Sequence, residues 1–291
     1  MSRALGEPLR ATASRVRAWM LVEQPGPWGG EALLSSRLDA GVAAALERRS
    51  QTAGVRVLLI RRPGRAPVGP RRAFLAHTGR LARWLEEVRL DDPGELLDLD
   101  WARLDRGEPP GYGERVQRTI YLACTNGRHD QCCATWGRPL ARSLLGPLGE
   151  RVWECSHIGG DRFAGNLVCL PDGVYYGRVG EADAPRVVAG HERGLLDLDH
   201  YRGRCCYPSV VQAAEHFLRR ELDLTALDAV LAERLERDPG GAVAVRFAVR
   251  DGPRWLVRLR VTAAEPERPL TCQATRTHRP PAYHLLGLTP L

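Results

Sequence analysis

The amino-acid sequence predicts a mixed α/β protein, and two observations support this. Short apolar runs rich in β-branched residues alternate with segments whose apolar residues recur at three- and four-residue steps, which is typical of strands followed by amphipathic helices. Pro/Gly-rich segments separate many of these elements. The 291 residues suit two domains of ordinary size, or one domain with extensions.

The first part of the sequence reads as βαββ. A strand is predicted over 18–24 and a second over 55–62, with a helix over 35–50 between them, where Ser36 is a candidate cap. Residues 71–78 and 81–90 form a predicted β-hairpin that turns around Thr78-Gly79. An acidic segment with Pro and Gly, 91–117, follows as a candidate domain boundary.

The second part repeats a similar order, too faintly to establish a repeat. Strands are predicted over 118–124 and 151–157 around a helix over 134–145, followed by a hairpin over 166–179. Helices are predicted over 191–201, 207–222 and 224–237, and an antiparallel pair over 242–263 turns at Asp251-Gly252. The predicted domains are an N-terminal α/β segment (1–110), a central domain (114–236) and a C-terminal β extension (237–291).

The charge balance argues against nucleic acid. The net charge is +7 and the pI about 9.2, yet all 42 basic residues are arginine and they are spread among Asp and Glu. No basic block is interleaved with aromatic residues, as nucleic-acid binding would favour. An arginine-rich surface instead predicts an acidic protein partner.

The sequence predicts a cytoplasmic protein. The longest apolar runs, such as 18–22 and 55–60, are too short to span a membrane, and the N-terminus has no apolar core of a secretory signal. In a reducing compartment, clustered cysteines are more often metal ligands or redox thiols than disulfides. The oligomeric state is not predicted.

Candidate ligands are concentrated in fewer than 40 residues. Cys124 and Cys133 form a C-x8-C pair, while His157 and Asp161 form H-x3-D. Neither is a C-x2-C pair, so a zinc finger and thioredoxin-type dithiol chemistry are disfavoured. Cys124 would end a strand and Cys133 would begin a helix, whose dipole stabilises thiolates and other anions.

The sequence here resembles a known family. CTNGRHDQCC followed by GRPLA, then SHIGGDRFAGN and YYGRV, is similar to the sucrase/ferredoxin-like proteins, most specifically over 118–180 and less sharply to about 222. The resemblance implies a thioredoxin-like ferredoxin fold that holds a [2Fe-2S] cluster. In characterised fungal members two cysteines bind one iron and both histidines of H-x3-H bind the other. Cys124, Cys133 and His157 match this pattern.

Asp161 departs from the family pattern, because it occupies the position of the second histidine. A carboxylate is a harder donor, which would bind the cluster less tightly and shift its potential. Four cysteines are alternative fourth ligands, of which the first is preferred: Cys206, Cys205, Cys155 and Cys132. Three cationic side chains are expected beside the site: Arg128, His129 and Arg162.

The implied function is one-electron transfer, with no catalytic residues and no support for sucrose hydrolysis. Histidine ligation raises the reduction potential above that of an all-thiolate cluster. Three other functions remain open: a structural or regulatory zinc site, a thiol-redox protein that uses Cys132-Cys133 or Cys205-Cys206, and a binding module of the same fold without cofactor.

Overall fold

The computed structural model describes residues 5–64, 69–238, 241–271 and 274–291, which build one curled ten-stranded sheet and a separate four-stranded sheet. The strands are β1 Ala18–Glu23, β2 Val55–Arg61, β3 Arg71–Thr78, β4 Arg83–Leu90, β5 Glu114–Arg115, β6 Ile120–Cys124, β7 Val152–Cys155, β8 Leu167–Leu170, β9 Val174–Tyr176, β10 Tyr201–Arg204, β11 Val230–Arg237, β12 Val243–Val249, β13 Trp255–Ala263 and β14 Pro281–Pro290.

The helices lie mainly between these strands. They are α1 Ala40–Ala53, α2 Trp101–Arg106, α3 Gln131–Ser143, α4 Leu145–Leu148, α5 Ala184–Glu192 and α6 Ser209–Glu221, with short 3-10 helices at Pro93–Asp98, Gly149–Arg151 and Asp161–Phe163. None of the helices in these described residues is long and apolar enough to cross a membrane.

The large sheet consists of two halves with the same strand plan. Its order is β10-β9-β8-β6-β7-β2-β1-β3-β4-β5. In each half two parallel strands flank a helix (β1-α1-β2 and β6-α3-β7), and an antiparallel strand then pairs with the first of them. The halves join where β2 and β7 pair antiparallel, with Ile60 opposite Cys155. The mixed α/β fold and its flanking helices are confirmed, while the division into three domains remains a prediction.

The curl of the sheet encloses a core shared by both halves. Trp19 of β1 and Trp153 of β7 are buried in it, and Phe74 packs edge-on against Trp153 at 5.4 Å between ring centroids. The opposite faces are covered by helices: α1 packs over the first half and α3 over the second. Because both faces are buried, the central strands read as nearly continuous apolar runs.

Two predicted helices are wrong. Residues 224–237 contain strand β11, which pairs with β12 from Val230 opposite Val249 to Arg237 opposite Val243. The Ala, Leu, Glu and Arg residues of this segment favour a helix. The segment forms a strand instead because it pairs with the free edge of the predicted hairpin, now β12-β13. As a result, the C-terminal extension is a four-stranded sheet, which also includes the unpredicted β14.

The segment 191–201 is the second error. Helix α5 ends at Glu192, and Gly194 adopts a left-handed φ of 73°. Beyond it the chain bonds to residues distant in sequence, because the Leu196 amide donates to the Thr225 carbonyl at 2.7 Å. Such a long-range backbone contact leaves no local pattern in the sequence.

Candidate metal centre

Two cysteines and one histidine converge at the ends of β6 and β7. The ligand atoms of Cys124, Cys133 and His157 all lie within 4.8 Å of one another, and the Cys133 Sγ is 4.0 Å from the His157 Nδ1. Both cysteines are buried and the histidine is half-buried. The structure therefore brings together the three residues that match the family pattern in the sequence.

The cysteine loop is fixed by a capped helix. Strand β6 ends at Cys124, and α3 begins after Asp130, whose carboxylate accepts a hydrogen bond from the Cys132 amide at 2.8 Å. This cap places Cys133 in the first turn, where the positive end of the helix dipole favours a thiolate. The expected positions of both cysteines at element ends are confirmed.

Gly137 allows α3 to approach the end of β6. A Cβ at this position would lie 1.9 Å from the Cys124 carbonyl oxygen. No side chain fits such a separation, so only glycine keeps the helix at its observed distance from Cys124. The sequence offered no signal for this role, because the contact depends on how the two elements pack.

The first half of the sheet holds the His157 segment in place. Arg56 of β2 donates to the His157 carbonyl at 2.9 Å, and the Ser14 hydroxyl donates to the Ile158 carbonyl at 2.9 Å. Gly159 and Gly160 then adopt left-handed φ values of 90° and 74°, a conformation that side chains disfavour. This turn directs the chain back toward the site at Asp161.

Asp161 lies beside the converging donors. Its side chain is buried, and no N–H or hydroxyl group of the described residues donates to its Oδ2. Burial, followed by a hydrogen bond to the Asp130 carboxyl, raises the pKa of Asp161 to about 6. Its charge contributes to the raised pKa of Cys133. Asp161 therefore faces the site but lies outside the group whose donors are all within 4.8 Å of one another.

The neighbouring thiols of Cys124, Cys133 and Cys155 shift one another's pKa values. Hydrogen bonds from Cys133 and then Cys155 hold the pKa of Cys124 well below its usual range, although burial opposes this shift. The hydrogen bond to Cys124, together with burial, raises the pKa of Cys133. Burial above all raises the pKa of Cys155. Of the two cysteines these shifts favour the thiolate at Cys124, and a metal that binds Cys133 must displace its proton.

The alternative cysteine ligands occupy different surroundings. Cys155 lies opposite Cys124 in the parallel β6-β7 pair. Cys205 is buried, and its thiol donates to the Thr78 hydroxyl at 3.2 Å. Cys206 and Cys132 are half-buried. Over the described ranges none of these four belongs to the compact group of donors.

The three basic side chains expected beside the site, Arg128, His129 and Arg162, differ in their contacts. The His129 ring stacks on the His157 ring, with centroids 3.7 Å apart and an interplanar angle of 23°. Arg128 is exposed on the loop between the cysteines. Arg162 pairs with the Glu7 carboxylate at 3.0 Å.

Comparison with known proteins matches this sequence to a family. The family model described as sucrase/ferredoxin-like matches residues 9–203. The curated "Altered inheritance of mitochondria protein 32" of the yeast Meyerozyma guilliermondii is 30% identical over 95 residues, which are 29% of this chain and 34% of that protein. The match thus spans about a third of the relative. No solved structure matches the chain.

Proposed function

Because this chain belongs to the sucrase/ferredoxin-like family, we propose that it is an iron–sulfur electron-transfer protein. In this proposal Cys124, Cys133, His157 and Asp161 hold a [2Fe-2S] cluster. The observation that carries the proposal is the convergence of the C-x8-C pair and the histidine within 4.8 Å. Thiolate and imidazole donors in this combination are typical ligands of such clusters.

The residues present fit the cluster. Two buried cysteines would supply thiolates, Cys124 at the end of β6 and Cys133 in the first turn of α3, and the half-buried His157 would supply an imidazole. No N–H or hydroxyl group of the described residues donates to the buried Asp161 Oδ2, and burial, followed by its carboxyl neighbour Asp130, raises its pKa. Two adjacent carboxylates are costly when both are ionised unless a cation lies beside them. A ligated iron would satisfy this carboxylate, which supports Asp161 as the fourth ligand.

The bound cluster would supply one-electron transfer at a potential above that of an all-thiolate site. Cys124 and Cys133 would anchor it in the core, while His157 and His129 line a surface cavity of about 500 Å³. Electrons would therefore enter and leave on the histidine side. An acidic redox protein as partner and a cytoplasmic location are parts of the same proposal.

The test is anaerobic purification of the whole chain with iron and sulfide supplied. We expect a brown protein with about two irons and two sulfides per chain, visible absorption, and an EPR signal after reduction. Cys124→Ser and Cys133→Ser should lose the colour, whereas the neighbouring Cys132→Ser should keep it. A colourless, iron-free wild-type protein would overturn the proposal.

Asp161 has its own test within that experiment. Asp161→His gives the ligand set of the fungal relatives, and we expect a changed spectrum and slower loss of iron to a chelator. Asp161→Ala should lose iron faster than the wild-type protein. Identical spectra in all three proteins would remove Asp161 from the ligand set.

A single zinc ion is the second candidate. Donors on one tetrahedral ion stand closer together than donors on two different irons, so the mutual 4.8 Å spacing also suits a mononuclear site. Metal analysis distinguishes the two: one zinc in a colourless protein, or two irons in a brown one.

A further inference from the structure

Among the described residues, three arginine side chains are almost completely buried, and one of these three lacks a carboxylate partner. Arg202, Arg204 and Arg219 are at most 2% exposed. Arg219 pairs with the equally buried Glu215 at 3.0 Å, and Arg204 lies 3.7 Å from an Asp228 oxygen. For Arg202, no carboxylate oxygen of the described chain lies within 4.0 Å. A buried charge is costly unless another charge compensates it.

The hydrogen bonds of Arg202 all go to neutral groups. Its Nη1 donates to the Asn166 Oδ1 at 2.8 Å and to the Gly159 carbonyl at 3.1 Å. Its Nε donates to the Thr12 hydroxyl at 3.0 Å, and its Nη2 donates to the Thr12 carbonyl. The guanidinium is well solvated by the protein, but the hydrogen bonds leave its charge unbalanced.

The Arg202 guanidinium contacts the segment that joins His157 to Asp161. Gly159 and Gly160 connect His157 to Asp161, and a Cβ on Gly160 would lie 2.2 Å from the Arg202 Nη2. Asn166, the second acceptor, receives the Cys124 amide at its own carbonyl at 3.1 Å. Arg202 therefore bonds the Gly159 carbonyl between His157 and Asp161, and the side chain of Asn166, whose backbone carbonyl holds the Cys124 amide.

The surrounding charges agree with this position. Burial above all, and then the like charge of Arg162, lowers the pKa of Arg202 to about 10, while Tyr175 and after it the charges of Cys124 and Asp161 act in the opposite direction. The side chain thus stays cationic at neutral pH, within electrostatic reach of a thiolate and a carboxylate of the site. These are anions that the metal centre itself contributes.

We propose that Arg202 is the buried counter-charge of the metal centre and that it raises the reduction potential of a cluster held there. This inference rests on the proposed function. Reduction adds one electron, supplied by a one-electron donor, and makes the site more negative by one charge without breaking a bond. A fixed positive charge near the ligands favours that state, because little solvent screens it.

The experiment is a redox titration of the cluster-loaded whole protein, read by visible absorption and EPR with dithionite as reductant. Arg202→Gln removes the charge, and Arg202→Lys keeps it. We expect Arg202→Gln to lower the equilibrium constant for reduction at least tenfold, which is about 59 mV for one electron. Arg202→Lys should stay within about threefold of the wild-type protein.

A matched control separates this local effect from net charge. Arg220→Gln removes one positive charge from an exposed pair with Asp199, and it should leave the potential unchanged. If Arg202→Gln folds, loads iron and titrates like the wild-type protein, Arg202 is not the counter-charge. A shift of equal size in Arg220→Gln would also overturn the inference.

Arg202→Lys decides the question if Arg202→Gln does not fold. A loaded lysine variant with a near wild-type potential supports the charge. A lowered potential of the lysine variant, or failure of both variants to fold and load, would show that Arg202 acts only through its hydrogen bonds. Either result overturns the inference. An iron-free wild-type protein instead overturns the proposed function, and the inference with it.

Discussion

The two halves of the large sheet share a strand plan but differ at the first helix. Both helices begin after an aspartate cap, Asp39 for α1 and Asp130 for α3. Seven residues after the cap, the first half has the fully buried Leu46, and the second half has Gly137. The leucine fills the core, whereas the glycine lets its helix touch the end of a strand.

The two halves also differ in which of them carries the candidate metal donors. All eight cysteines of the sequence lie at or after residue 124, so none belongs to the first half. That half instead contributes Arg56 and the Gly29 carbonyl, which accepts a hydrogen bond from Asn126 at 3.1 Å. One copy of the scaffold thus carries the donors, and the other holds their loops.

The largest effect is expected where the helices differ. Gly137→Ala places a Cβ against the Cys124 carbonyl, so α3 must move away from β6. Overpacking of this kind costs about 3 kcal/mol, and we expect the metal to be lost. Urea unfolding and metal analysis measure both effects.

Gly146→Ala is the matched control for that change, since a Cβ there meets nothing within 4 Å. It should leave both stability and metal content nearly unchanged. Equal behaviour of the two alanine variants would mean that close approach of α3 is not required.

A second test concerns pH, because the buried Asp161 belongs only to the second half. Its pKa is raised from the ordinary 3.8 to about 6, so the folded metal-free chain binds the proton more tightly than the unfolded chain. The contribution of Asp161 to the free energy of unfolding is greatest below about pH 4 and is lost as the pH rises to about 6. The two-unit shift corresponds to at most about 3 kcal/mol.

The comparison that isolates this term is the wild-type protein against Asp161→Asn, both without metal, across pH 4 to 7. Other carboxylates contribute their own slopes, so the difference between the two proteins is the measurement. We expect Asp161→Asn to gain stability relative to the wild-type protein as the pH rises. A difference independent of pH would contradict the raised pKa.

Much of the fold follows from local sequence patterns. Strands β1 to β4 and the hairpin β8-β9 were predictable, because alternation and turn residues are read within a few neighbouring positions. Strand β11 was not predictable, since its Ala-, Glu- and Arg-containing segment is helical by preference and becomes a strand only by pairing with β12. Local preference fails where the partner is far away in sequence.

The candidate site divides in the same way. Cys124, Cys133 and His157 are identified by their spacing and family resemblance, because ligand atoms must come from specific residue types. Arg202 and Gly137 act through packing and charge against residues of other elements. Their residue types are common in this sequence, and no spacing marks them.

The supporting role of the first half is tested at Arg56. Arg56→Met removes the hydrogen bond to the His157 carbonyl, and loss of such outer contacts typically weakens metal binding about 10- to 100-fold. We expect this loss in chelator competition, with little change in unfolding of the metal-free chain. Arg49→Met is the control, because Arg49 donates to the Leu97 carbonyl within the first half. The metal affinity of this variant should match that of the wild-type protein.

The smallest effect compares the two aspartate caps. Removing a cap costs about 1 kcal/mol, and Asp39→Ala, at an exposed site, should cost that amount at both pH 5 and pH 7. Asp130→Ala also removes the carboxyl that bonds Asp161. At pH 5, where Asp161 is protonated, that bond is lost with the cap, whereas at pH 7 the loss is offset by relief of charge repulsion. Urea unfolding of the metal-free variants should therefore show a larger cost for Asp130→Ala at pH 5 than at pH 7. Equal costs at the two pH values would show that the second cap, like the first, serves only its helix.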